Sequence, residues 1–414
     1  MKTAGIIAEY NPFHSGHRYQ LDQARALTGA DYIIVVMSGD YVQRGEPALY
    51  DKYTRTAIAL NNGADLILEM PSCFATSSAE DFAACGAALL DRLGVVDFLC
   101  FGSEAGELPP LKEAAEVLAR EPEEYRKILR SRQKDGASFP KARAEALQAC
   151  LAREDAEAVF ALPNNILGIE YLKALLKRGS RIQPFTIKRA GQGYHDTADD
   201  HGFSFPSASA IRTRVKQGSL DYAACPQYHG MNPSSPLFSP APVPIFADDL
   251  TGVFNWKLLE LIRQQARLSD FADLSPELEA RLKNHALEFA SFSGRIEQLK
   301  TKQYTYTRIS RALLHLLLGI TVEELLLAKQ ADYVSYGRIL GFRRSAGPLL
   351  RRIKETCRLP LITKTADAGK VLDEGGLQQL HMDFFASHLY QSLVFQKSGV
   401  QMKNEYTRSV IIQD

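Results

Sequence analysis

The chain has 414 residues, 45% of them hydrophobic and 23% charged, the balance of a globular protein with room for more than one core. That composition excludes a disordered tail, a collagen-like fibre and a coiled-coil rod, and the apolar run Ala312–Ile320 falls far short of the ~20 residues a membrane helix needs. The net charge of +1 hides an asymmetry: residues 251–414 carry 23 basic and 17 acidic side chains, residues 1–250 carry 26 and 31, which gives the C-terminal part a modest leaning towards a negatively charged partner such as nucleic acid.

At the N-terminus, Glu9 and Asn11 interrupt the apolar run before a signal-peptide core can form, so a cytosolic protein is expected. The six cysteines are scattered without a Cys-x-x-Cys pair and read as small buried hydrophobes rather than a disulfide framework. Cys225 and His229 have metal-ligand spacing, but no second pair accompanies them and no metal site is expected.

Five segments read as strands: Ala4–Ala8, Tyr32–Met37, Ala64–Glu69, Val95–Phe101 and Arg181–Ile187. The first two are continuously apolar, as expected for strands buried on both faces of a parallel sheet. Helical patterns lie between them, over 17–28, 51–62, 78–92, 109–131 and 165–178. This alternation predicts a doubly wound α/β domain with ligands at the carboxyl ends of its strands. Residues 232–244 hold five prolines and cannot continue a helix. They suggest a boundary between a catalytic domain over 1–235 and a second domain over 236–414. The second domain reads as mainly helical, over 253–267, 275–290, 291–299, 307–318, 321–329, 346–357 and 376–394.

The chemistry concentrates after the first strand, in Ile6-Ile-Ala-Glu-Tyr-Asn-Pro-Phe-His-Ser-Gly-His-Arg-Tyr-Gln-Leu21. His14-Ser15-Gly16-His17 sits where a turn enters a helix, and a helix N-terminus offers unpaired N–H groups and positive dipole to phosphate. Gly16 lets a nucleotide approach the backbone. Two imidazoles three residues apart can donate to the α- and β-phosphates and stabilise the charge that develops as pyrophosphate leaves. A plainer reading, two histidines capping or packing a helix start, stays open beside a metal held by the same pair.

A His-x-Gly-His step after strand one resembles the nucleotidylyltransferase superfamily, which shares its α/β fold with class I aminoacyl-tRNA synthetases. Ser207-Ala-Ser-Ala-Ile-Arg212 is similar in type to that superfamily's second element: Ser207 or Ser209 could cap a helix and Arg212 could reach the β/γ-phosphates.

A narrower resemblance runs through Glu9–His17, Met37–Pro47, Phe101–Glu104, Pro163–Leu172, Ile187–Arg189 and Gly193–Asp196. These segments are similar to the bacterial tRNA(Met) cytidine acetate ligases. That family activates acetate with ATP as acetyl-adenylate and passes the acetyl group to N4 of the wobble cytidine of elongator tRNA(Met). The resemblance implies a nucleotidylyltransferase-like catalytic domain, ATP with Mg²⁺ as the nucleotide's ion, and acetate and tRNA as the other substrates. It implies His14 and His17 as catalytic residues. Its ATP site would comprise Ile7, Ala8, Glu9, Tyr10, Asn11, Pro12, Phe13, His14, Ser15, Gly16, His17, Arg18, Tyr19 and Gln20 with Gly102, Asn164 and Arg189. Asn164 is chosen over Asn165 because it directly follows Pro163.

Residue chemistry agrees with these roles. Gly102 ends the fourth expected strand, where a side chain would meet a bound nucleotide; Asn164 opens a helix and could cap it; Arg189 is a plausible phosphate fork. Arg44, Lys52 and Arg55 follow the second strand, placed for pyrophosphate, carboxylate or RNA. Lys300–Arg311 and Tyr336–Arg344 interleave cations with aromatics, as RNA-contacting surfaces do. His285, His315, His381 and His388 read as packing or surface residues. Two alternatives remain: a small-molecule adenylyltransferase of the same superfamily, and a non-catalytic RNA-binding protein that senses a nucleotide.

Overall fold

The computed structural model describes residues 1–137, 139–152, 159–189, 207–220 and 242–414. The strands are β1 (Thr3–Ala8), β2 (Tyr32–Ser38), β3 (Tyr41–Val42), β4 (Glu46–Pro47), β5 (Leu66–Met70), β6 (Phe98–Ser103), β7 (Gln183–Lys188), β8 (Gly337–Arg343), β9 (Leu361–Ile362) and β10 (Ile411–Gln413). Helices in the first part are α1 (Ser15–Thr28), α2 (Lys52–Asn61), α3 (Ser72–Ala75), α4 (Ala79–Leu93), α5 (Leu108–Arg120), α6 (Glu123–Lys134), α7 (Phe139–Leu151), α8 (Pro163–Arg178) and α9 (Ala208–Lys216). The remainder are α10 (Thr251–Arg263), α11 (Pro276–Asn284), α12 (Phe292–Leu299), α13 (Tyr306–Leu318), α14 (Val322–Gln330), α15 (Gly347–Thr356) and α16 (Glu374–Ser398).

The main sheet runs β10-β8-β5-β2-β1-β6-β7, with β9 paired to β8. Its five central strands are parallel. Ile6, Ile33 and Val35 enter one core and Ile7, Ile34 and Val36 the other, the period-2 alternation of strands with no wet face. The chain winds outward from β1 through β2 to β5, then returns to β6 on the other side of β1. That reversal puts a crevice beyond the carboxyl ends of β1 and β6, where open α/β sheets bind ligands.

Two features depart from the sequence expectation. The helix expected over 109–131 breaks into α5 and α6, because Pro122 cannot continue it and Glu121 takes a left-handed φ of 44°. More consequentially, the C-terminal part also builds sheet: β8 pairs antiparallel with β5, and β10 lies parallel on its outer edge. Of the proline-rich segment only residues 242–244 are among those described.

Among the described residues, no helix is long and apolar enough to cross a membrane.

Candidate active site

The turn from β1 into α1 is pinned from three directions. From α2, the fully buried Arg55 donates to the carbonyls of Glu9 (2.6 Å), Ser38 (3.1 Å) and Gly39, and through Nε to that of Tyr50 (2.9 Å). From the loop before α2, the Leu49 N–H donates to Asn11 Oδ1 at 2.8 Å. From α9, Arg212 donates to the Asn11 carbonyl at 2.8 Å and lies 3.6 Å from Glu46. These anchors hold Tyr10 at a φ of 50°, a backbone strain a bulky residue accepts only where its surroundings over-determine it. Tyr10, Phe13 and His17 pack ring against ring, with centroids 4.9–5.6 Å apart.

His14 is the N-cap of α1, and the cap is reciprocal. His14 Nδ1 accepts from the Gly16 N–H at 3.0 Å, and His17 Nδ1 accepts from the His14 N–H at 3.2 Å. An imidazole that accepts at Nδ1 and is neutral must carry its proton on Nε2. Both rings are neutral. Burial, with help from the Arg189 charge, pushes His14 down to about 4; burial, then His14 and Arg189, hold His17 well below the usual histidine range. The rings stack with centroids 3.9 Å apart, so the turn presents two Nε2–H donors with no partner among the described residues. Capping is thus observed at Nδ1, which leaves Nε2 for a ligand. Gly16 is required by the same arrangement, since a Cβ there would lie 2.8 Å from the His14 ring.

Three further polar atoms in this turn are buried and lack a partner among the described residues: Tyr10 Oη, Asn11 Nδ2 and Ser15 Oγ. Native interiors rarely leave such groups unpaired except at functional sites or where water or an ion binds. Several other side chains of the segment look inward or away. Ile7 packs beneath Gly86 of α4, where a Cβ would come within 2.6 Å of it; Ala8 and Tyr19 pack against the α1-side core; Arg18 lies 3.9 Å from Asp22 on an exposed face. Pro12 and Phe13 are buried and Gln20 is half-buried.

The facing wall comes from β6, β7 and α8. Arg189, just past β7, donates to Asn164 Oδ1 at 3.1 Å, and Asn164 Nδ2 donates to Glu104 at 2.5 Å. Gly102 makes room for that chain, because a Cβ there would lie 3.3 Å from Arg189 Cγ. Asn164 is not the N-cap of α8: it is the second helical residue, and the carboxylate of Glu104 accepts the N–H groups of Asn164 and Asn165 instead. Asn165 spends its side chain on the Glu104 and Ala105 N–H groups and the Val159 carbonyl. Asn165 is thus buried and spent locally, while the half-buried Asn164 links Arg189 to Glu104. Ser207 caps α9 through the Ala210 N–H at 3.2 Å, and the Ser209 carbonyl accepts from Thr213 within the same helix.

Several expected cations are elsewhere. Arg55 is the anchor described above, not a ligand for pyrophosphate. Lys52 is fully buried, 2.7 Å from Glu69, 3.2 Å from Glu405 and 2.7 Å from Ser387 Oγ. Arg338 completes this network through Glu69 (2.9 Å), Glu405 and the Tyr53 hydroxyl (3.0 Å). Arg338 and Tyr336, expected on an RNA-contacting surface, thus lie inside the protein on or beside β8, with Tyr336 donating to buried Asp383. Arg44 is exposed, as are Lys300, Lys302, Tyr306 and Arg308 at the start of α13. His315 is buried against Thr76, and His388 accepts from the Glu405 N–H. Cys225, His229 and the segment Gly193–Asp196 lie outside the described residues.

Sequence reasoning missed Glu104 and the anchoring role of Arg55. A signal for the first was available: Glu104 ends the quoted Phe101–Glu104 segment, and a carboxylate after a strand is a ready acceptor for a helix N-terminus.

Residues 1–406 match the family model described as HIGH Nucleotidyl Transferase. A curated tRNA(Met) cytidine acetate ligase from Acetivibrio thermocellus is 37% identical, and one from Clostridium perfringens 36%, each over the full length of both chains. The fold is similar over the full length of both chains to the crystal structure of apo Thermotoga maritima TmcAL, with a TM-score of 0.88 and 32% identity, and to the same protein bound with alpha-thio ATP, with 0.87 and 31%. The chain belongs to the HIGH nucleotidyl transferase family and, within it, to the family of the tRNA(Met) cytidine acetate ligases.

Proposed function

We propose that this chain is an ATP-dependent ligase that activates acetate as acetyl-adenylate and acetylates N4 of the wobble cytidine of elongator tRNA(Met). The observation that carries the chemistry is the histidine pair, fixed neutral with both Nε2–H groups unspent at a helix N-terminus. The full-length relatives that bear the name of this reaction, and the neighbour bound with alpha-thio ATP, support the same reading.

In the first half-reaction an acetate oxygen attacks the α-phosphorus of ATP and pyrophosphate leaves. The Nε2–H groups of His14 and His17 donate to the phosphate oxygens on which charge accumulates. Being neutral and already capped, they act as fixed dipoles that need no reorganisation during the step. Arg189, oriented by Asn164, adds a guanidinium fork on the opposite wall. Arg212 contributes by holding the Asn11 carbonyl, and Ser207 by starting the helix that carries it. In the second half-reaction the cytidine amine attacks the acetyl carbon and AMP leaves. Activation is needed because a cytosine amine is a weak nucleophile and acetate alone has a poor leaving group.

Among the described residues no three His, Cys, Asp or Glu side chains cluster to hold a metal ion. Mg²⁺ accompanying ATP would be carried on the nucleotide's own phosphate oxygens, and no step here passes through it. The catalytic unit would span residues 1–235. The part over 236–414 would contact tRNA through the exposed Lys300, Lys302, Tyr306 and Arg308, and the protein would work in the cytoplasm. The test is acetylation of bulk bacterial tRNA with labelled acetate, read by nucleoside mass spectrometry. N4-acetylcytidine confined to elongator tRNA(Met), and dependent on both ATP and acetate, is the expected product; its absence with all three substrates present would refute the assignment.

A further inference from the structure

The histidine pair explains phosphate activation but leaves the second half-reaction without a proton acceptor. When the N4 amine of cytidine attacks the acetyl carbon, a C–N bond forms, the bond from that carbon to the AMP oxygen breaks, and AMP leaves with the electron pair. One amine proton must also go. Neither imidazole can take it: Nδ1 of each already accepts a backbone N–H, and Nε2 of each already carries a proton.

The nearby carboxylates can be taken in turn. Glu104 spends both oxygens on the start of α8. Glu46 lies 3.6 Å from the Arg212 guanidinium. Asp40 accepts the Lys52 N–H at 2.8 Å and is buried beside the Lys52 network. Glu9 differs from all three. It directly follows β1, at the carboxyl edge of the sheet where the crevice opens, and its carbonyl is fixed by Arg55. Its Oε1 accepts the Gln43 N–H at 2.9 Å, while its Oε2 has no partner among the described residues. One oxygen holds the group still and the other is unspent, as a general base requires.

We propose that Glu9 accepts the proton from cytidine N4 as the amine attacks acetyl-adenylate, and then releases it to solvent. The assignment rests on the ligase reading and adds the group that reading lacks. The surroundings suit it. Burial raises the Glu9 carboxyl above the usual carboxylate range, opposed by the Gln43 N–H and the Arg44 charge, with Glu46 and Arg212 also facing it. Its own charge is felt by Tyr171 of α8 and Arg55 of α2. A raised carboxyl is a stronger base than an ordinary one.

The experiment supplies synthetic acetyl-adenylate and elongator tRNA(Met) to the full chain in single turnover, from pH 5.5 to 8.5, beside acetate-dependent ATP–pyrophosphate exchange. Glu9→Gln keeps an oxygen for the Gln43 N–H, so the turn is retained; Glu9→Asp shortens the base without removing it. A transfer-to-exchange ratio about 100-fold lower in E9Q, loss of the acid limb of the transfer profile, and partial recovery in E9D are expected. Transfer by E9Q at the wild-type rate and pH dependence overturns the assignment and leaves the ligase reading intact. Equal loss of both half-reactions also overturns it, placing Glu9 in the shared nucleotide site. A wild-type chain that cannot transfer from acetyl-adenylate overturns the ligase reading and the assignment together.

Discussion

Two polar clusters sit close to the carboxyl edge of the same sheet and are built from similar materials, yet they do opposite things. Around Lys52, Glu69, Arg338 and Glu405 the charges are fully buried and in contact with one another at 2.7–3.2 Å. Lys52 and Arg338 pull Glu405 down to about 2 despite its burial. Around His14 and His17 the protein supplies the caps and anchors but leaves two Nε2–H donors and three buried polar atoms without a partner among the described residues. A charged cluster whose members pair with one another joins elements; one that withholds its donors keeps them available to a ligand. The first cluster ties α2 and β5 to β8 and to Glu405 near the C-terminus, and so makes the C-terminal part integral to the sheet that carries the second.

The largest effect is expected at Lys52. Lys52→Met leaves Glu69 and Glu405 buried with Arg338 alone between them, and should cost about 3–5 kcal/mol of stability, read as a lower midpoint in denaturant unfolding. Fold is the expected casualty, and exchange per folded molecule should change far less. The opposite pattern is expected at the second cluster. His17→Ala removes one oriented donor and should lower acetate-dependent exchange about 10²–10³-fold, with unfolding affected much less than by the lysine change.

A smaller effect is expected on the facing wall. Arg189→Ala removes a charge-assisted contact and should raise the ATP KM about tenfold or somewhat more, measured in exchange at saturating acetate.

The two clusters also lose stability in different pH windows. Because His14 and His17 titrate below the usual histidine range in the folded chain, the unfolded chain takes up protons first as pH falls. Their contribution to stability is therefore fully present above about 6.5 and is lost as pH drops towards about 4 for His14. Glu405, held down to about 2, contributes above its unfolded value near 4.5 and loses that contribution only below it. Acid unfolding followed in wild type and His14→Gln should separate the two windows, with the variant less sensitive between pH 6.5 and 4. The smallest effect is expected at Ser207→Ala, which removes the α9 cap for about 1 kcal/mol of local stability, visible as faster amide exchange in that helix.

Much of this was legible in the sequence, and where it was not the reason is physical. β1 and β2 announce themselves because burial on both faces demands unbroken apolar runs such as Ile33–Val36, whereas the edge strand β7, Gln-Pro-Phe-Thr-Ile-Lys, is partly exposed and gives a weaker signal. The histidine step is legible because local chemistry places it: a strand end, a turn, a glycine, a helix start. By contrast, β8 reads as Gly-Arg-Ile-Leu-Gly-Phe-Arg, and its cations suggested a surface. Only the partners that neutralise Arg338 make it interior, and Glu69 and Glu405 are brought to it by tertiary structure. Lys52 misleads for the same reason, and Arg55 because its partners are backbone carbonyls of the turn rather than a charged ligand. A cation's place in a chain says nothing of whether its counter-charge arrives from the solvent, a ligand or the other end of the protein. At Gly16 and Gly102 the sequence reading reserves space for a nucleotide, but the atoms a Cβ would meet there are those of His14 and Arg189 respectively.

The most direct test of the central claim is ATP–pyrophosphate exchange by the wild-type chain with and without acetate, at fixed low salt and in the presence and absence of tRNA. Two unspent donors at the head of α1 that activate the α-phosphate for acetate predict exchange that requires acetate and changes when tRNA is added. Exchange that proceeds equally well without acetate, or fails with it under both conditions, would contradict the account.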